Sequence, residues 1–334
     1  LHFISYKNGL EKVLKMTLPP FSQNVIAMVW DFDKTLIQTY MQDPLFKRYH
    51  VDGGTFWKEV NSLSEYYSKR GISINRDTCY LNHILTYVKA GIFKGLSNRI
   101  LRECGKELSF YPGLPLFFEQ IKKSIEENEK YKKYGIRLEH YVVSTGFSET
   151  IRGSAIAPYV DGIFGCEFIE SPAQPGFSKE APIESEQEIS QIAVAIDNTS
   201  KTRYLFEIHK GSNKFPESID VNSFIKQENR RIPFSNMIYI ADGPSDVPAF
   251  SILNSHGGST FAIYPKGDMN AFRQVEHLRQ DGRIATFGEA DYSEKSHTWM
   301  WLCGKVQEIA DKILKNHTDS IQKNASLPPS HLSY

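Results

Sequence analysis

Asp31 and Asp33 stand one residue apart, directly after the apolar run Val25-Ile26-Ala27-Met28-Val29-Trp30. On extended backbone, residues i and i+2 leave on the same face, so both carboxylates emerge together where the run ends. Charged groups at the end of a buried strand lose hydration, and a cation or a proton has to compensate. A carboxylate so placed can attack an electrophile, move a proton or hold a metal ion. A second acidic pair, Asp242 and Asp246, follows the apolar run Met237–Ala241. Ser144, Thr145 and Gly146 follow Leu138–Val143, and Lys201 opens a helical pattern. Each feature alone is weak: a Ser after a strand is usually a cap, and a helical Lys is usually solvated. Four such features at successive element ends carry weight together.

The elements that must position them alternate. Strands are expected at Val25–Trp30, Leu138–Val143, Ile163–Ile169, Ile192–Ile196, Met237–Ala241 and Thr260–Tyr264. Helices are expected at Leu114–Glu127, Phe147–Gly153, Ser200–Lys210, Met269–Arg279 and Glu294–Leu314. This alternation predicts an α/β fold with a Rossmann-like, mainly parallel sheet covered on both faces, which binds ligands at the carboxyl ends of its strands. Residues 40–108 break the alternation. Their pattern is helical (Phe56–Lys69, Cys79–Lys89, Ser97–Lys106) and rich in aromatics, and predicts an inserted all-helical cap above Asp31 and Asp33. Residues 1–24 read as a helical extension stopped by Pro19-Pro20, 25–39 and 109–315 as the core, 171–188 as a polar loop or hairpin, and 316–334 as a disordered tail.

Composition is that of an ordinary globular enzyme. The chain has 334 residues, 40% hydrophobic and 23% charged, enough for a core and a second small domain. Lys+Arg and Asp+Glu are both 39, which implies no bulk attraction to nucleic acid or anionic lipid. The basic stretch Lys130-Tyr131-Lys132-Lys133 reads as a solvated helix end. The four cysteines (Cys79, Cys104, Cys166, Cys303) are scattered, with neither zinc spacing nor a disulfide framework. No apolar run reaches the roughly 20 residues a membrane span needs. The start of the chain has no signal-peptide core, so a cytoplasmic location is expected.

The order of the motifs resembles the haloacid dehalogenase-like hydrolase superfamily, whose pattern runs DxDx[TV], strand-Ser/Thr, Lys, then an acidic pair such as GDGxxD. Here these read Asp31-Phe32-Asp33-Lys34-Thr35, Val142-Val143-Ser144, Lys201, and Ala241-Asp242-Gly243-Pro244-Ser245-Asp246, over residues 25–265. The helical insert makes the chain similar to the phosphoserine phosphatase type with a C1 cap, in an uncharacterised bacterial subgroup. The resemblance implies a phosphatase of small phosphomonoesters that uses Mg²⁺. It implies Asp31 as nucleophile, Asp33 as acid and base, and Ser144, Thr145, Gly146, Thr35 and Lys201 around the phosphoryl group. Asp31, the Asp33 carbonyl, Asp242 and Asp246 would hold the metal. Lys210 and Lys214 are alternatives to Lys201.

Two departures bear on the substrate. Phosphoserine phosphatases carry an acid soon after the first motif that contacts the substrate amine. The matching stretch here, Ile37-Gln38-Thr39-Tyr40, has none, which argues against phosphoserine. Ala241 stands where Gly is common. The cap's aromatics (Tyr40, Phe46, Tyr49, Phe56, Trp57, Tyr66, Tyr67, Tyr80, Tyr87 and Phe93), most of which are expected to be core packing, and its cations Lys47, Arg48, Lys58 and Arg99 are candidate substrate contacts. Asp33 distinguishes phosphate-ester chemistry from carbon–halogen cleavage, which the dehalogenases of the superfamily perform without it. The alternatives are a phosphotransferase or phosphomutase on the same motifs, and a non-catalytic ligand-binding protein. Oligomeric state is open.

Overall fold

The computed structural model describes residues 22–178 and 187–325, with side chains as far as 319. The expected helix before residue 21 lies outside the described residues. Strand β1 (Val25–Trp30) is buried along its whole length. Its side chains alternate: Ile26, Met28 and Trp30 enter one apolar cluster, and Val25, Ala27 and Val29 enter another. A strand buried on both faces reads as a continuous hydrophobic run, and it lies between two layers of helices.

Among the described residues the sheet has seven strands, in the order β4-β3-β2-β1-β5-β6-β7. The others are β2 (Arg137–Phe147), β3 (Gly162–Ile169), β4 (Gln191–Val194), β5 (Met237–Ala241), β6 (Ser259–Tyr264) and β7 (Thr286–Glu289). All pairings are parallel except β3 with β4, an antiparallel edge. This is the expected α/β, Rossmann-like core.

The helices in chain order are α1 (Asp43–Arg48), α2 (Gly53–Ser68), α3 (Cys79–Lys89), α4 (Asn98–Gly105), α5 (Leu116–Glu126), α6 (Glu129–Lys132), α7 (Ser148–Gly153), α8 (Lys201–Lys210), α9 (Val247–Ser255), α10 (Met269–Gln280) and α11 (His297–Ala325). Helices α5 and α11 cover the Trp30 face through Phe117, Phe118, Leu302 and Val306. Helices α8, α9 and α10 cover the other through Leu205, Ile208, Phe250, Leu253 and Val275.

Helices α1–α4 all fall between β1 and β2, as the interrupted alternation predicts. Their interior is aromatic: Phe56 meets Phe46 and Tyr87 at centroid separations of 4.9 and 5.2 Å. Helix α4 joins this block to the core against α7, where backbones nearly touch. A Cβ at Gly105 would lie 2.1 Å from the Thr150 carbonyl oxygen, and one at Gly153 would lie 1.9 Å from that of Arg102. Only glycine permits this approach.

The structure corrects several expectations. Helices α1 and α9 and strand β7 were not foreseen. The last helix runs past Leu314 to Ala325, so the expected disordered tail is helical that far. Strand β2 continues through Ser144, Thr145 and Gly146 instead of ending before them.

His140, on β2, is fully buried; its Nδ1 accepts from Trp30 Nε1–H at 3.2 Å, and its Nε2–H donates to the Phe118 carbonyl at 3.2 Å. Burial, helped by the charge of Lys122, lowers its pKa to about 3. An NMR titration should find this ring neutral, protonated at Nε2, down to about pH 4, well below the usual histidine midpoint near 6.5. A midpoint above 5 would contradict the burial.

Candidate active site

Register brings the motif residues to one edge. Trp30 of β1 pairs with Val142 of β2 and Ile240 of β5, so Asp31, Ser144 and Asp242 emerge from three adjacent strands. The Asp31 N–H donates to the Ile240 carbonyl at 2.8 Å, carrying the ladder one residue further. The chain then turns sharply. Leu36 N–H bonds back to the Phe32 carbonyl at 2.9 Å, and Lys34 adopts left-handed backbone with φ of 58°. Thr35 Oγ1 donates to Asp31 Oδ2 at 3.2 Å, and the Tyr292 hydroxyl pins the Thr35 carbonyl at 2.6 Å.

Lys201 is the first residue of α8 and is 1% exposed. Its Nζ donates to Asp31 Oδ1 at 2.6 Å and to Asp246 Oδ1 at 2.7 Å. Lys210 donates to the Val221 and Ser223 carbonyls and Lys214 to the Asp161 carbonyl, so neither takes this place. Asp246 is itself held by the Tyr239 hydroxyl at 2.6 Å and Ser245 Oγ at 2.8 Å. Asp33 Oδ1 accepts from the Met41 N–H at 2.8 Å. Ser144 Oγ accepts from the Gly146 N–H at 2.9 Å. The Met41 side chain, from the loop before α1, packs directly over Gly146, where a Cβ would lie 2.3 Å from its Cε.

One carboxylate oxygen from each of Asp31, Asp242 and Asp246 lies within 4.8 Å of the others. Burial raises Asp31 to about 6, against the pull of Lys201. Burial, then the charge of Asp31, raises Asp242 to about 8 and holds Asp33 well above the usual carboxylate range. Burial opposes the charge on Lys201, but Asp246 and Asp31 outweigh it and keep the ammonium above its ordinary range. One lysine does not neutralise this many acids. Hard oxygen donors carrying excess negative charge in a desolvated cleft fit a small divalent cation. Asp246 already accepts from three donors, which makes Asp31 and Asp242 the more available ligands.

A cavity of about 260 Å³ opens onto this edge. Asp31, Asp33, Asp242 and Thr145 form its floor, while Lys201, Asp246, Ser144 and Thr35 lie buried behind. Its opposite wall comes from the inserted helices and their loops: Tyr40, Gln42, Trp57, Asp77 and Tyr80. The Tyr80 hydroxyl donates to the Thr145 carbonyl at 2.6 Å, tying wall to floor. A larger hollow of about 480 Å³, beside Glu289 and His297, shares none of these residues. The cap cations named from sequence are not in the wall: Arg48 and Arg99 pair with Glu103, and Lys47 and Lys58 are exposed. Of the cap aromatics named from sequence, Tyr40, Trp57 and Tyr80 stand in the wall. Sequence reasoning missed Gln42 and Asp77, which carry no motif.

No family model matches the chain. It is similar, at low identity, to two solved structures. A HAD family hydrolase from Salmonella enterica subsp. enterica serovar Typhi is 12% identical, with 86% of this chain and 76% of that one covered, at a TM-score of 0.47. A phosphoserine phosphatase in a phospho-aspartyl intermediate analogue form is 16% identical, with 78% and 92% covered, at 0.42. An uncharacterized protein of Borreliella burgdorferi is 38% identical over 289 residues, 85% of this chain and 97% of its own length. The chain belongs to one family with that Borreliella protein, and the four motifs by which it resembles haloacid dehalogenase-like hydrolases meet, in this structure, around a single cavity.

Proposed function

We propose that the protein is a Mg²⁺-dependent phosphatase that hydrolyses a small phosphomonoester through an aspartyl-phosphate on Asp31. The observation that carries this reading is the meeting of Asp31, Asp33, Asp242, Asp246 and Lys201 at one strand-end cleft, with their charges interlocked. When bound, Mg²⁺ would be held by Asp31 and Asp242, with the Asp33 carbonyl, and would offset the charge between carboxylate and phosphoryl group. Asp246 anchors Lys201 and would complete the shell directly or through water.

The residues then divide the work. The Asp31 carboxylate forms a bond to phosphorus as the bond from phosphorus to the ester oxygen breaks. Asp33, protonated because burial and Asp31 raise its pKa, gives its proton to the departing oxygen. It then takes a proton from the water that attacks phosphorus and releases phosphate, which restores Asp31. Lys201 neutralises phosphoryl charge, and Ser144, whose oxygen already accepts from Gly146, turns its hydroxyl proton toward the phosphoryl oxygens. Thr35 orders the first loop, and the Thr145 and Gly146 backbone lies beside the phosphoryl site. The helices over the cavity act as a cap that excludes water from the intermediate.

Acid quenching during turnover tests this. Peptide mapping should find a phosphoryl group on Asp31 that hydroxylamine removes. Turnover with phosphate trapped on another side chain would refute the assignment.

A further inference from the structure

Lys201 is a long side chain buried in the acid cluster, and where its ammonium comes to rest depends on where α8 begins. The chain enters α8 through a turn over residues 198–200. Asp197 and Ser200 close that turn as a reciprocal cap. Asp197 Oδ1 accepts from the Ser200 N–H at 2.6 Å, and Ser200 Oγ accepts from the Asp197 N–H at 2.7 Å. The Asp197 carbonyl takes the Lys201 N–H at 3.2 Å. Such a box satisfies backbone donors that the start of a helix otherwise leaves open. Without it the first turn frays, and Lys201 goes with it.

The other oxygen of the same carboxylate faces the inserted helices. Asp197 Oδ2 accepts from Asn75 Nδ2 at 3.0 Å, across 122 residues of chain. The Ser200 N–H first, and Asn75 with it, hold the half-buried Asp197 carboxyl below its ordinary range, so both of its oxygens act as acceptors. Asn75 lies in the loop between α2 and α3, where its own Oδ1 accepts from the Asp77 N–H at 2.9 Å. Asp77 lines the cavity over the acids, and its Oδ2 accepts from the Asn198 N–H at 3.4 Å. The loop that carries part of the cavity wall therefore grips the turn that carries the lysine. The Lys201 ammonium itself bonds Asp31 and Asp246, so Asp197 acts on it through the backbone.

We propose that Asp197 is a positioning residue: by capping α8 it fixes Lys201 at the acid cluster, and through Asn75 it ties that placement to the inserted helices. This rests on the phosphatase reading above and deepens it. A cation misplaced by about 1 Å stabilises the transition state poorly, so the loss should fall on kcat more than on KM.

The test is a double-mutant cycle on kcat for a chromogenic ester with Mg²⁺ present, with circular dichroism as the folding control. Asp197→Ala should lower kcat by about 10- to 100-fold, with KM little changed. In a Lys201→Met background the same change should cost almost nothing further, because a residue that acts through Lys201 has nothing left to place. Asn75→Ser keeps an acceptor for the Asp77 N–H but drops the amide donor; it should lower kcat by less than Asp197→Ala, and again only when Lys201 is present. Asp197→Asn keeps the acceptor for Ser200 and sets an amide against that of Asn75, so it should fold and lose no more than Asn75→Ser does. That partial rescue keeps the inference falsifiable should the double variant not fold. Equal losses in both backgrounds, or an Asp197→Asn protein as slow as Asp197→Ala, would overturn the positioning role and leave the phosphatase standing. Parental kcat in Asn75→Ser would overturn the tie to the inserted helices. Release from no ester by the parent protein would remove the phosphatase reading and this inference with it.

Discussion

Asp31→Asn should abolish phosphate release, lowering kcat by on the order of 10⁴-fold or more, the scale seen when a nucleophile that works as part of a unit is removed. The amide cannot form the acyl-phosphate bond, and it also dismantles the charge balance of the cleft. Lys201 Nζ would lose an ionised partner at 2.6 Å and keep only Asp246. Asp33 and Asp242 would lose the negative neighbour that helps hold their pKa values up, so each should ionise at lower pH than in the parent protein. Folding should survive, because an amide of equal size fills the same space and its oxygen can still accept from Thr35 Oγ1 or from Lys201 Nζ. Initial rates on a chromogenic ester, with circular dichroism as the folding control, check this. Undiminished turnover by the folded variant would remove Asp31 from the chemistry.

Lys201→Met should cost both activity and stability. The ammonium is buried between Asp31 and Asp246, and its removal leaves two carboxylates facing each other without a counter-charge. Breaking one side of a buried ion pair typically costs about 3–5 kcal/mol. Loss of a cation aimed at phosphoryl charge lowers turnover by about 10²- to 10³-fold. Mg²⁺ supplies part of the missing positive charge, so it should raise the melting temperature of the variant more than that of the parent protein. It should not restore the rate. A variant that melts like the parent without Mg²⁺, and turns over like it, would show that Lys201 holds the fold no better than any apolar side chain there.

The parts legible in the sequence were those set by local pattern. The run Val25–Trp30 is apolar at every position, so its burial on both faces and the ejection of Asp31 at its end follow directly. The same logic placed Asp242 after Met237–Ala241 and Ser144 after Leu138–Val143, although β2 runs on through Phe147. Choosing Lys201 over Lys210 and Lys214 needed the third dimension. All three occur within or just after one helical segment, and only position at the start of α8 aims a lysine at the strand ends. Tyr239 looked like core in an apolar strand, yet its hydroxyl reaches Asp246. Strand β7 is short and contains Gly288, so neither alternation nor an apolar run announced it. The cavity wall was hidden for another reason. The sequence offered the cap's aromatics and its cations Lys47, Arg48, Lys58 and Arg99 without ranking them, because which face of a helix meets the acids depends on the packing of α1–α4. That packing turned Gln42, Trp57 and Tyr80 inward.

Phosphate release from a panel of small phosphomonoesters, measured with Mg²⁺ and again with EDTA, tests the central claim most directly. The account predicts turnover of at least one ester with Mg²⁺, its loss in EDTA, and its return when Mg²⁺ is restored in excess. Turnover that persists unchanged in EDTA, or a folded protein that binds Mg²⁺ and releases phosphate from no ester, would contradict it.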